Sequence, residues 1–159
     1  MVNLRKKQSG FTVIELLIVI VVIGILAAIV ISTFSGIQVK QRNTKRQNDI
    51  QVVQNQLEAF FSQNDYYPSL NDINSTTWRD KNMPNLNPSD MIDPSAKDQN
   101  TSDAKFAALP GADLFSYQVT DNNGNSCETK DTNCLKYTLT ATFEGTVNGQ
   151  KTYVKENLD

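Results

Sequence analysis

Hydrophobic and polar positions divide the chain into stretches of different period. From Leu16 to Ile31 no side chain is polar, and from Phe11 to Phe34 only Glu15 is charged. At about 1.5 Å per residue such a helix exceeds a bilayer core of about 30 Å. Further on, Ile50, Val53, Leu57, Phe60 and Phe61 recur at spacings of three and four, while Gln51, Gln54, Asn55 and Glu58 fall elsewhere. That pattern predicts a continuing helix with one apolar stripe, stopped near Asn64-Asp65 ahead of Tyr66-Tyr67-Pro68. Residues 65 to about 113 hold all five prolines among Asn, Asp and Ser, and read as loop. Tyr66, Tyr67, Leu70, Ile73 and Trp78 are expected to tie its first part down on the sheet. Period-two alternation then takes over. Leu114 to Thr120 predicts a first strand, and Tyr137, Leu139, Ala141 and Phe143 alternate with threonines in a second. Asn148-Gly149 marks a tight hairpin into a third strand over Lys151 to Glu156. The fold class is therefore α+β, one long N-terminal helix against a small antiparallel sheet.

Composition narrows the chemistry. The 159 residues contain no histidine and two cysteines, so no Ser-His-Asp or Cys-His nucleophile can be assembled, and no paired acidic constellation stands out in the polar part. The reading is of a protein that is not an enzyme and carries no cofactor. Lys+Arg 15 against Asp+Glu 17 gives a net charge of -2, which leaves no global basic field for nucleic acid. Lys40, Arg42, Lys45 and Arg46 form a basic cluster after the apolar segment. It reads as a solvated collar or a set of inter-subunit ion pairs.

Ahead of the apolar segment lies a polar stretch with Arg5, Lys6 and Lys7 that ends on Ser9-Gly10. Secretory signals and plain anchors share this outline, but neither explains Glu15. An acidic side chain at mid-span costs about 2.5–3.5 kcal/mol on insertion scales, less nearer the interface, and calls for a partner. No Lys, Arg or His lies between Phe11 and Val39. The positive charge that could arise inside the segment is a new α-amino group, made by a cut between Gly10 and Phe11. Such an amine is largely cationic at neutral pH, with an unperturbed pKa of about 7.7–8.0.

Gly10-Phe11-Thr12-Val13-Ile14-Glu15-Leu16 resembles the processing and assembly signature of type IV prepilins and the related pseudopilins. The resemblance covers leader, cut site, glutamate and long apolar helix together. It implies that a membrane prepilin peptidase cleaves after Gly10 and that Phe11 is then N-methylated. It further implies that Glu15 pairs with the Phe11 amine of a neighbouring subunit. A pair within one helix is the alternative, since the two groups lie only four residues apart. On this reading residues 1–10 are a leader, 11–34 a transmembrane and filament-core helix, 35–64 its amphipathic half, and 65–159 a globular head. Loss of the leader lowers Lys+Arg from 15 to 12 and takes the net charge to -5.

The implied function is that of a structural subunit of a type IV pilus, a homopolymer built through the N-terminal helix by a pilus assembly machinery. The precursor would sit in the cytoplasmic membrane and the filament outside the cell. A minor pilin or pseudopilin of a type II secretion or DNA-uptake system is the alternative within the family. An unpolymerised membrane-tethered binding module is the alternative of another class. In an exported head, Cys127 and Cys134 are most simply a disulfide, with two free thiols as the other possibility. Asp121 to Asn125 places oxygen ligands at suggestive spacing for calcium, but lacks the glycine register and downstream glutamate of an EF-hand loop, and reads as a solvated turn. No surface or DNA ligand of the head can be named from the sequence.

Overall fold

A computed structural model describes residues 10–127 and 134–158. The leader cations Arg5, Lys6 and Lys7 and the interior of the Cys127–Cys134 loop lie outside the described residues. The chain forms two compact units, Met1–Gln38 and Val39–Asp159, and a helix α1 over Val13–Asn64 runs through both.

In the first unit, every large apolar side chain described from Phe11 to Ile37 is between 47% and 87% exposed. The helix here is apolar all round, as its composition dictates, and long and apolar enough to cross a membrane.

The second unit is built on the stripe read from the sequence. Ile50, Val53, Leu57 and Phe60 are buried along α1 in one cluster with Phe115, Tyr117, Val119, Tyr137, Leu139 and Ala141 of the sheet. Burying such a side chain stabilises by about 1.5–3 kcal/mol. Asp65 ends α1: its N–H donates to Phe61 O at 2.8 Å, and its φ of 62° turns the chain out of the helix.

The stretch from 65 to 113 is more regular than expected. It holds α2 (Leu70–Asn74), α3 (Thr76–Asn82) and two 3-10 turns, Pro88–Met91 and Thr101–Asp103. The residues that read as turn formers act as caps. Ser69, Ser75, Asn87 and Asn100 each accept a backbone N–H at the start of one of these elements. Tyr66 and Trp78 pack on Phe60, with ring centroids 5.5 and 5.4 Å away, and Tyr67 packs edge-on against Tyr137 at 4.6 Å.

Three antiparallel strands follow in the order β1 (Phe115–Thr120), β2 (Lys136–Val147) and β3 (Gln150–Glu156). Phe115 opposes Ala141 and Tyr117 opposes Leu139, which puts the alternating apolar residues on the face toward α1. Of the adjacent pair in β3, Tyr153 packs on the core and Val154 faces out. Asn148 and Gly149, with φ of 52° and 80°, form the expected two-residue turn. The β2–β3 register shifts between Thr142 and Val147, and Gly145 within the shift has φ of 74°. This bulge frees Glu144 from the ladder.

Candidate functional site

Glu15 lies in the first turn of α1, and its partner there is Thr12. The carboxylate Oε2 accepts from the Thr12 N–H at 2.7 Å and from the Thr12 hydroxyl at 2.9 Å, while Glu15 N–H donates back to Thr12 Oγ1 at 3.2 Å. Thr12 O also accepts the first helical bond, from Leu16 N at 3.2 Å. This is a reciprocal capping box, with Thr12 as N-cap and Glu15 three residues on. A helix start leaves its first N–H groups without partners, and a carboxylate there is favoured by the helix dipole. The arrangement therefore lowers the cost of an acid in an apolar segment, although Thr12 brings no opposing charge. The sequence reading assigned Glu15 a charged partner and passed over Thr12. The T-x-x-E spacing ahead of an apolar run was the signal that could have found it.

In the basic cluster at the start of the second unit Lys40 is exposed, whereas Arg42, Lys45 and Arg46 are engaged in ion pairs. Arg46 is 1% exposed and uses all five guanidinium donors. Its Nε and Nη2 bind Asp93 at 2.7 and 2.8 Å. Its Nη1 reaches Asn43 Oδ1 at 2.8 Å and Glu144 Oε1 at 2.9 Å, and Nη2 also reaches Ser95 Oγ at 2.8 Å. Arg42 binds both oxygens of Glu144, and Lys45 pairs with Asp49 at 2.8 Å. These ion pairs lie within the chain: Asp49 is one helical turn from Lys45, and Asp93 and Glu144 are brought to the arginines from segments far away in sequence. Ser95 Oγ donates to Glu144 Oε1 at 2.8 Å.

Asn43 completes this junction. Its Nδ2 donates to Glu144 O at 3.1 Å and its Oδ1 accepts from Glu144 N at 3.0 Å, so one carboxamide satisfies both backbone groups exposed by the bulge. Hydrogen bonds from Arg42 hold the Glu144 carboxyl down at about 2, against a desolvation that acts in the opposite sense, with help from Ser95 and Arg46. Burial pushes Asp49 up, opposed by Lys45.

Glu58, which read only as a polar position on α1, accepts from Tyr67 OH at 3.0 Å, Tyr137 OH at 2.6 Å and Leu158 N at 3.2 Å. It ties the exit of the helix and the end of the chain to the sheet. The Asp121 carboxylate accepts from the backbone N–H groups of Asn123 and Asn125 and from Asn125 Nδ2, each at 2.8 Å. These bonds hold its pKa below the ordinary value, Asn125 contributing most. The segment is a turn closed on its own acid.

Of the residues singled out in the sequence, Gly10, Phe11 and Glu15 fall together at the head of α1. Cys127 and Cys134 are joined as a disulfide at the base of the β1–β2 connection. No group of three or more Cys, Asp or Glu side chains poised for a metal occurs among the described residues.

Residues 5–31 match a family model described as the prokaryotic N-terminal methylation motif. Among curated proteins, the chain is 38% identical over 65 residues to type II secretion system core protein G of Escherichia coli K12, covering 41% of this chain and 45% of that one. The corresponding protein of Aeromonas hydrophila is 37% identical over 65 residues, covering 41% and 46%. The type IV major pilin protein PilA of Myxococcus xanthus is 38% identical over 63 residues, covering 40% of this chain and 29% of that one. The match spans less than half the length of these relatives. No solved structure matches the chain. The N-terminal segment is thus of the kind shared by pilins and pseudopilins, and the fold that carries it is a pilin-like α+β fold.

Proposed function

We propose that the chain is a structural filament subunit, made as a membrane-anchored precursor, cut after Gly10, N-methylated on Phe11 and polymerised through α1. The observation that carries this reading is an apolar helix surface exposed on every side from Val13 to Val30 with one acid, Glu15, at its head. Such a surface needs lipid or other copies of itself. Glu15 Oε2 is engaged by Thr12, while Oε1 takes no hydrogen bond among the described residues. A neighbour's Phe11 amine would add the opposing charge that Thr12 lacks, and the same contact would fix subunit register. The methylation motif over residues 5–31 supports the processing step. Membrane anchor, prepilin peptidase, pilus machinery and extracellular filament all belong to this proposal.

A second reading has its own support. Secretion-system relatives match about two fifths of the chain as closely as the pilin does. A pseudopilin of a secretion or uptake machine would undergo the same processing and the same helix packing, and copy number in isolated filaments separates the two.

Mass analysis of the mature protein tests the shared part. A chain beginning at Phe11, one methyl heavier than its sequence, is expected, and Glu15→Ala should be cut normally yet fail to enter filaments. A mature chain starting elsewhere, or normal filaments from that variant, would overturn the proposal.

A further inference from the structure

Cys127 and Cys134 are both buried, and their disulfide brings their Cα atoms to 6.0 Å. Their backbone carbonyls hold something outside the loop they close. Tyr67 N–H donates to Cys134 O at 2.8 Å, and Leu70 N–H donates to Cys127 O at 3.2 Å. Tyr67 to Leu70 is the segment by which the chain leaves α1, and Tyr117 OH holds its middle by donating to Pro68 O at 2.8 Å. The two cysteines hang from the ends of the strands: Cys127 N donates to Val119 O and Leu135 N to Thr120 O, each at 2.9 Å. The spacing between the two acceptor carbonyls, which must match Tyr67 and Leu70, is therefore set by these two bonds to the end of β1 and by the sulfur bridge that joins the two segments.

We propose that this disulfide is a compartment-sensitive lock on the exit of α1. With Cys127 and Cys134 as thiols, Tyr67–Leu70 is loosely held, and oxidation fastens it to the base of β1 and β2. In that step the two thiols lose two protons and two electrons and form one S–S bond. The electrons pass to the disulfide of a thiol–disulfide exchange partner, which leaves as its dithiol. Thiols stay reduced in a cytosol and oxidise outside it, so fastening follows export of the second unit. Once formed, the bond is shielded, because an attacking thiolate needs access that two buried cysteines deny. The timing rests on the proposed export of the second unit, and no part of the lock rests on polymerisation.

Hydrogen exchange on the full chain in detergent micelles, comparing the disulfide-bonded protein with Cys127→Ser/Cys134→Ser, tests it. The Tyr67 and Leu70 amides should exchange about tenfold faster or more in the variant, as expected where a native hydrogen bond opens locally, while Leu139 to Ala141 in the central strand keep their protection. Wild-type protein reduced with dithiothreitol while unfolded, where the bridge is accessible, and refolded with the reductant present should reproduce the variant, which controls for the serines. Unchanged exchange at Tyr67 and Leu70 would overturn the lock. So would acceleration spread equally through β2, because the bridge would then support the whole core.

Discussion

Glu144 ties the stability of the head to pH. Arg42 holds its carboxyl at about 2, whereas in the unfolded chain it has its ordinary value of 4.5. A depressed acid adds stability that is fully present above the unfolded value and disappears as pH falls through the folded one. Thermal unfolding of the wild type should accordingly lose ground between pH 4.5 and about 2, and Glu144→Gln should show a flatter curve in that window. Asp49, pushed up by burial, acts in the opposite sense but is common to both proteins. Parallel curves would mean that the arginines contribute nothing through this acid. None of this was legible in the sequence. Arg46 stands among Lys40, Arg42 and Lys45 with nothing local to mark it as the buried member, because Asp93 and Glu144 reach it only through tertiary structure.

Periodic elements were readable and capped ones were not. The stripe on α1 and the alternation in β2 repeat often enough to specify a buried face, and Asn148-Gly149 supplies the backbone freedom its turn requires. By contrast α2 and α3 are only a turn or two long, too short for a period, and rest on the serines that start them. Thr12 is a different case, since the T-x-x-E spacing marks it as a cap in the sequence itself. Its removal should show at the scale of the helix start: Thr12→Ala is expected to cost about 0.5–2 kcal/mol of helix stability, and Thr12→Ser to retain most of it. Faster amide exchange at Glu15 and Leu16 in micelles, seen for alanine and not for serine, would check this. Equal exchange in both variants would deny the cap its role.

At the scale of the molecule, the units Met1–Gln38 and Val39–Asp159 have different solvents to satisfy. The second contains its own core, its own ion pairs and the disulfide, and takes none of its buried apolar residues from the first. A fragment beginning at Val39 should therefore fold in water without detergent and unfold in urea as one cooperative transition, followed by the fluorescence of the sole tryptophan, Trp78. A broad, non-cooperative transition would show that the apolar helix is needed for the core. This division was visible in the sequence as a change from uninterrupted hydrophobicity to a repeating stripe. Where the second unit begins to grip was not, since the polar residues from Arg42 to Arg46 do the gripping.

Asn43 reads position 144 through its main chain, whereas Arg42 and Arg46 read it through its carboxylate. Replacing the acid discards the electrostatic half of that contact and leaves the amide half in place. Replacing the asparagine strands a peptide unit that no choice of side chain at 144 can rescue. The tolerance of the junction is thus lopsided, forgiving on the strand and strict on the helix.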